Sequence, residues 1–186
     1  MKKYKVIYAD PPWVYKVWSK KGAGRSAESH YPTMDIAAIK ALPVGELADK
    51  DCALFLWITF PMLREAWGVM DAWGFTFKTV AFVWIKQCRK SDGLFTGMGY
   101  WTRANAEVCL LGVSPGFKAG ERIRSHKVHQ IIEAPFEGHS KKPDETRRRI
   151  VELLGDVPRL EMFARQRAEG WDAWGNEAPE DMQGGS

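Results

Sequence analysis

An apolar run that stops abruptly at Asp-Pro-Pro-Trp, residues 10–13, is the feature that most constrains how this chain can fold. The run itself, residues 6–9, is composed of β-forming and small residues and predicts a buried strand. Two consecutive prolines fix the backbone φ angle and cannot continue a strand, so the strand must end there with a carboxylate at its tip. Because proline has no N–H group, the turn is expected to form a ledge that offers hydrogen-bond acceptors only.

An exocyclic amine on a flat ring, such as that of adenine, suits a ledge of this kind. Its two N–H groups need acceptors and its ring needs a stacking partner. We expect Asp10 and the Pro11 carbonyl to accept these hydrogen bonds, Pro12 to stiffen the turn, and Trp13 to stack on the ring. The alternative is a strand that simply ends in a turn, with Trp13 as an ordinary core residue.

Composition bounds the class of protein. At 186 residues the chain is long enough for one domain whose core needs no disulfide or metal. The three cysteines are far apart, and His126 and His129 have no further Cys or His nearby, so we expect reduced thiols and no metal site. No apolar run reaches the roughly 20 residues needed to span a bilayer, and the first residues do not resemble a signal peptide. We therefore expect a cytoplasmic protein without membrane association.

The charge pattern permits nucleic acid as a partner. Net charge is +4 and the isoelectric point is about 8.9. Many basic residues fall in three predicted loops, where a charge is either solvated or in contact with phosphate. These residues are Lys16, Lys20, Lys21, Arg25, Arg89, Lys90, Arg103, Lys118, Arg122, Arg124 and Lys127.

Strands and helices alternate along the chain. Strands are predicted at residues 53–59, 77–85, 107–113, 128–132 and 159–165, and helices at 61–73 and 143–154 and from a Thr33 or Asp35 cap to Leu42. This order predicts an α/β domain, residues 1–177, with a mainly parallel sheet and helices on both faces. Residues 178–186 are rich in acidic residues, Pro and Gly and are expected to form a disordered tail.

Two irregular stretches are candidates for substrate contact. Residues 87–105 contain three glycines together with Trp101 and Arg103, which suit base stacking and phosphate pairing. Glu107, which follows, is either an exposed strand-end charge or an acceptor for a base. Residues 14–30 form a candidate lid, after which Tyr31 either closes over a base or packs on the core at a helix entry.

Six sequence blocks in a fixed order resemble the DPPW-type N6-adenine methyltransferases. That family includes the catalytic subunit of the eukaryotic messenger-RNA adenine methyltransferase and many small bacterial and phage DNA enzymes. The resemblance covers residues 4–177. The blocks are residues 10–13, 30–34, 99–103 leading to Glu107, 142–145, 161–165 and 174–177.

The resemblance implies a Rossmann-like fold that uses S-adenosylmethionine, in the permuted order in which the catalytic strand precedes the cofactor strand. The implied catalytic residues are Asp10, Pro11, Pro12 and Trp13. The implied cofactor shell comprises Lys142, Glu161, Phe163, Arg165, Asn176 and Glu177. The substrate-side residues are Tyr31, Trp101, Arg103 and Glu107. Arg167 and Ala168 stand where eukaryotic members have a His-Asn pair, so that ribose contact is not carried over.

We therefore predict an S-adenosylmethionine-dependent enzyme that methylates the N6 amine of adenine in nucleic acid, with DNA favoured over RNA. The compact size and the Gly-Tyr-Trp-Thr-Arg block favour DNA, although no residue is identified that senses a 2′-hydroxyl. The alternatives are an RNA adenine-N6 methyltransferase, an inactive nucleic-acid-binding subunit of a methyltransferase complex, and an enzyme that methylates a small-molecule amine. A homodimer or a partner subunit is compatible with each of them.

Overall fold

The computed structural model of the chain describes residues 2–14, 33–97, 99, 101–137, 141–164 and 166–175. Its elements are β1 (Tyr4–Ala9), α1 (Ile36–Ala41), α2 (Val44–Leu47), β2 (Ala48–Ile58), a 3₁₀ turn (Phe60–Met62), α3 (Leu63–Ala72), β3 (Thr76–Gln87), β4 (Ala106–Val113), α4 (Ala119–Arg122), β5 (Ile131–Pro135), α5 (Asp144–Leu154), β6 (Arg159–Met162) and β7 (Asp172–Trp174). No helix in these ranges is both long and apolar enough to cross a bilayer.

These strands form one mixed sheet in the order β5-β3-β4-β2-β1-β6-β7. The pairs β1–β2, β1–β6, β3–β5 and β6–β7 are parallel. Among the described strands β4 alone is reversed, and it pairs antiparallel with both β2 and β3. The predicted α/β fold with a mainly parallel sheet is confirmed. One strand is reversed because β3 returns directly into β4 without a crossover helix.

The central strands carry two cores, one on each face of the sheet. Ile7 and Leu56 pack with residues of α1 and α3 in the first core, whereas Tyr8 and Trp57 pack with residues of α5 in the second. Successive side chains of a strand point to opposite faces, so a strand covered on both sides is apolar at nearly every position. This confirms the predicted helices on both faces and explains the continuous apolar runs.

Three helices follow their sequence signals. The predicted cap of α1 is Asp35, whose carboxylate accepts a hydrogen bond of 2.7 Å from the Ala38 N–H. α3 ends just before Gly74, and α5 begins after Pro143 and ends at Gly155. Pro143 cannot donate a backbone hydrogen bond and is therefore well placed at the start of a helix.

The start of β2 and the end of β6 differ from the predicted boundaries, because tertiary contacts or backbone geometry determine where these strands begin and end. β2 begins at Ala48 rather than at residue 53, because buried Asp51 forms ion pairs with Lys5 and Arg122 and allows polar residues in the strand. β6 ends at Met162 rather than at residue 165, because Phe163 has a left-handed φ of 60°.

The two edge strands were predicted least well. β5 spans Ile131–Pro135 instead of residues 128–132, and β7 was not predicted. An edge strand pairs on one side only, so it tolerates a proline, and its hydrophobic pattern is weaker. Neither error affects the centre of the sheet, where the candidate site lies.

Candidate active site

The carboxyl ends of the parallel strands bring charged side chains from four elements into one series of contacts. Asp10 follows β1, Lys142 precedes α5, and Glu107 opens β4, whose reversed direction brings its first residues to the same edge. Lys142 Nζ lies 2.8 Å from Asp10 Oδ2 and 3.2 Å from Glu107 Oε2. Lys86, near the end of β3, places its Nζ 2.5 Å from Glu107 Oε1. Three predicted site residues therefore lie together.

Burial is graded along this series. The side chains of Lys142 and Glu107 are buried, while that of Asp10 retains 28% of its exposure. Burial by itself would raise the pKa of Glu107, but the charges of Lys142 and Lys86 and their hydrogen bonds hold that pKa below its ordinary value. Burial would likewise lower the pKa of Lys142, but Asp10 and Glu107 raise it. Lys142 and Glu107 are therefore both charged at neutral pH, and Asp10 forms the rim that a ligand can reach.

The carboxylate of Glu107 lies between two ammonium groups. Its Oε1 accepts from Lys86 Nζ at 2.5 Å, and its buried Oε2 forms an ion pair with Lys142 Nζ at 3.2 Å. A carboxylate oxygen has a second lone pair, so Oε2 can accept a further hydrogen bond from a ligand. The exposed strand-end alternative for Glu107 is thus wrong, because the side chain is buried beneath two lysines.

A second buried ion pair lies beside the first. Arg147 Nε and Nη2 donate to the two oxygens of Glu161, each at 2.8 Å, in bidentate geometry. The Arg147 guanidinium lies 5.9 Å from the ring centre of Tyr8, and Lys142 Nζ lies 5.8 Å from that of Trp57. Trp57 Nε1 donates to the Tyr8 hydroxyl at 2.8 Å. Two aromatic rings on adjacent strands therefore support both cations.

Replacing Arg147 with methionine is expected to lower the free energy of unfolding by about 3 kcal/mol, because Glu161 would be left as a buried carboxylate without its bidentate partner. The matched control is Arg148→Met on the next position of α5, whose exposed guanidinium pairs with Glu145 and Glu152. That change should cost much less stability, because an exposed ion pair is screened by solvent and contributes little. Urea denaturation of both variants measures the difference, and equal losses would show that the Arg147 pair contributes no more than a surface pair.

The structure corrects the expected ledge at residues 10–13 in two respects. Trp13 is a core residue, 5% exposed, whose Nε1 donates to the Trp57 carbonyl at 3.0 Å, so its ring is not the expected stacking surface. The proline carbonyls are also engaged: Pro11 accepts from the Trp13 N–H at 2.8 Å and Pro12 from the Met34 N–H at 2.9 Å. Trp13 instead ties the turn to β2 and fixes the backbone that carries Asp10.

The chain takes a constrained path just beyond β6. Phe163, a predicted cofactor residue, has a φ of 60°, and its ring meets that of Trp174 edge-on at 5.6 Å. A Cβ atom at Gly175 would lie 2.9 Å from the backbone nitrogen of Ala164, so only glycine allows this approach. Left-handed backbone at a non-glycine residue persists where surrounding contacts enforce it, often in binding sites.

Trp101 and Arg103 lie at the surface, apart from the buried cluster. Trp101 is 90% exposed, and Arg103 is also exposed. Their loop is narrow at its base, where the Gly97 N–H donates to the Ala104 carbonyl at 2.9 Å. A Cβ atom at Gly97 would lie 2.3 Å from that carbonyl oxygen. Contact of these two side chains with substrate stays a prediction.

Four predicted residues, Tyr31, Arg165, Asn176 and Glu177, lie outside the described residues, and so does the tail at 178–186. Within the described ranges, no group of three or more His, Cys, Asp or Glu side chains is arranged to hold a metal ion.

Sequence reasoning did not identify the ion pairs of Lys86 and Arg147. Lys86 lies just beyond the strand predicted at residues 77–85, and the sequence places Arg147, with Arg148 and Arg149, on a helix face that is either solvated or in contact with phosphate. The signal for Arg147 was its position on α5, three residues before buried Ile150 and therefore near the buried face of the helix. Lys86 carried no comparable signal, because its pairing with Glu107 depends on the β3–β4 register.

Comparison with known proteins identifies the family. The MT-A70 family model matches residues 4–177. The type II methyltransferase M.MunI of Mycoplasma sp is 32% identical over 96% of this chain and 79% of its own length. The N(6)-adenosine-methyltransferase catalytic subunit METTL3 of Homo sapiens is 28% identical over 94% of this chain but only 28% of its own length. The MT-A70-like N(6)-adenosine-methyltransferase of Arabidopsis thaliana is 27% identical over 92% of this chain and 23% of its own length. These matches confirm the resemblance inferred from the motifs, and the chain belongs to the MT-A70 family.

Proposed function

We propose that the chain transfers a methyl group from S-adenosylmethionine to the N6 amine of adenine in DNA. The observation that carries the proposal is the contact series Asp10–Lys142–Glu107 at the carboxyl edge of the sheet. It presents a partly exposed carboxylate whose position is fixed by a buried ammonium group. A preorganised acceptor of this kind stabilises positive charge that develops on an amine.

The residues present fit S-adenosylmethionine. Its carboxylate suits the ammonium of Lys142, and its ribose hydroxyls suit Glu161 at the end of β6. Each Glu161 oxygen accepts one hydrogen bond from Arg147 and retains a second lone pair for a ligand. Glycine at position 175 leaves the backbone of residues 163–164 open where a side chain would collide. The proposed shell is completed by Phe163, Arg165, Asn176 and Glu177.

When bound, S-adenosylmethionine supplies a methyl group on a positively charged sulfur. Asp10 accepts one N–H of the adenine amine. The Pro11 carbonyl accepts the other, since it has a second lone pair besides the one that bonds the Trp13 N–H. Both bonds raise the electron density on a nitrogen that is otherwise a poor nucleophile and align it for in-line attack. No strong base is required, because the proton leaves after the nitrogen has become cationic.

The adenine must be unpaired or flipped out of a duplex to reach Asp10, at a cost of a few kcal/mol. Since Trp13 is buried, we propose that the base contacts Tyr31 and Glu107. Trp101 and Arg103 would contact the nucleotides on either side of that base. Basic side chains in the loops beside this edge would contact phosphate.

Two observations support DNA as the substrate: the compact size of the domain, and a relative named as a type II methyltransferase that the chain matches over most of its length. RNA is the second candidate, supported by relatives named as N(6)-adenosine-methyltransferases. Action in the cytoplasm and assembly as a homodimer or with a partner subunit stay predictions.

Expression in a bacterial host without adenine methylation tests the proposal. Digested DNA is expected to contain N6-methyladenine at levels absent from an Asp10→Ala control, and RNA from the same cells should not. Mass spectrometry of DNA and RNA nucleosides, analysed separately, measures both. Modified RNA with unmodified DNA would assign the second candidate. Neither modification, with intact nucleic-acid binding, would assign the role of an inactive subunit.

A further inference from the structure

An exposed aromatic groove lies where the chain leaves β2. Its lining residues are Phe60 and Pro61 of the 3₁₀ turn and Leu63, Arg64 and Trp67 of α3, and its volume is about 630 Å³. Phe60 is 52% and Trp67 39% exposed, whereas most large apolar side chains of the described chain are buried. Exposed aromatic side chains that line a groove usually mark a binding surface.

The position of the groove relates it to the candidate active site. β1 and β2 are adjacent and parallel, with Ala9 opposite Leu56. Asp10 and Phe60 therefore both follow the carboxyl ends of neighbouring strands, which lie about 4.8 Å apart. The buried indole of Trp13 bonds the Trp57 carbonyl and joins the two chain segments. A ligand that extends from Asp10 across β2 would reach the groove.

The charge of the groove suits a polyanion. Arg64 supplies the charge of its lining and is exposed. A second cation, Lys40 of α1, lies beside α3 one turn beyond Arg64. Its Nζ is 2.6 Å from the position that a Cβ atom would take at Gly68. Two aromatic surfaces beside two cations form the combination that binds unpaired nucleic acid, through base stacking and phosphate pairing.

We infer that this groove holds the unpaired nucleotides that flank the target adenine, with bases against Phe60 and Trp67 and phosphate near Arg64 and Lys40. The inference rests on the proposed function and adds to it the path that the nucleic-acid strand takes over the protein. Stacking of one base contributes about 1–3 kcal/mol and depends little on sequence. The groove would therefore increase affinity for strands long enough to reach it, without selecting a sequence.

Phe60→Ala and Arg64→Glu test this inference on strands of two lengths. Each variant is expected to weaken binding of a single-stranded oligonucleotide of about 15 nucleotides by about tenfold, and to weaken binding of a trinucleotide much less, because a trinucleotide is too short to fill the groove. Fluorescence anisotropy measures binding without any requirement for methyl transfer, so a failure of the proposed reaction and a failure of the groove are separate results. Phe60→Tyr, which retains a ring, should bind like the unmodified protein.

Two exposed positions away from the groove give matched controls. Lys50→Glu makes the same charge change near the amino end of β2, and Ile131→Ala removes an exposed apolar side chain from β5. Neither should alter binding of the long strand. Unchanged long-strand binding in Phe60→Ala and Arg64→Glu would overturn the inference, as would an equal loss for both strand lengths. It would also be overturned if sedimentation showed that these variants dissociate a dimer, because the occupant would then be a second copy of the chain.

Discussion

Asp10→Asn is expected to reduce methyl transfer by about 10²–10³-fold, the effect of removing one preorganised electrostatic contact from a reaction centre. The carboxylate at the end of β1 is the partly exposed member of the buried series, and Lys142 Nζ fixes it at 2.8 Å. An amide in its place offers a weaker acceptor and presents N–H groups to an amine that needs acceptors. The rate of a single turnover at saturating S-adenosylmethionine measures the loss.

The affinity for S-adenosylmethionine should change little in Asp10→Asn, because Lys142 and Glu161 are proposed to hold the cofactor. Asp51→Asn is the matched control, since Asp51 is also an ion-paired aspartate, with Lys5 and Arg122, but at the opposite edge of the sheet. It should lower stability and leave the turnover of folded protein intact. If Asp10→Asn instead lost cofactor binding by the same factor as turnover, Asp10 would be a cofactor residue.

The centre of this fold was predictable because its signals are local. The run at residues 6–9 and the proline pair define β1 and its end. Pro143 and Gly155 delimit α5, and the long apolar stretch identifies most of β2. The motifs likewise identified Asp10, Lys142 and Glu107, which the fold brings together.

What the sequence could not provide is the partner of each side chain. Trp13 follows the prolines in a position where either an exposed stacking ring or a buried core ring is plausible, and its bond to the Trp57 carbonyl depends on how β1 and β2 align. Lys86 meets Glu107 through the β3–β4 register, which includes two irregularities. Long-range register depends on the whole sheet, so no local pattern specifies these contacts.

The same long-range packing explains why buried charges were underestimated. The sequence places three arginines of α5 on a face that is either solvated or in contact with phosphate, yet Arg147 lies over the ring of Tyr8 and pairs with Glu161. Charged residues are almost never fully buried unless they are paired, and pairing cannot be read from one helix. Buried charge pairs beside a cleft are common at functional sites.

Lys142→Met is expected to lower the affinity for S-adenosylmethionine about tenfold, the equivalent of one charge-assisted hydrogen bond, and to cost about 3 kcal/mol of stability. Calorimetry and urea denaturation measure the two effects. Lys86→Met is the matched control, because Lys86 also pairs with Glu107 but not with Asp10. It should lower stability and leave cofactor affinity nearly intact. Equal losses of affinity would mean that disorder of Glu107, rather than loss of a direct contact, weakens binding.

The pH dependence of stability gives Lys142→Met a second, independent readout. In the unmodified protein the lysines hold the pKa of Glu107 below its ordinary value of 4.5, so the ionised carboxylate stabilises the folded state above that pH. This contribution is lost as pH falls through the lowered pKa. Without Lys142, only Lys86 opposes the effect of burial, so the folded pKa of Glu107 rises relative to that in the unmodified protein. The free energy of unfolding of the variant should therefore fall less than that of the unmodified protein as pH is lowered from neutral. An unchanged slope of the unfolding free energy against pH would show that Lys86 alone keeps Glu107 ionised.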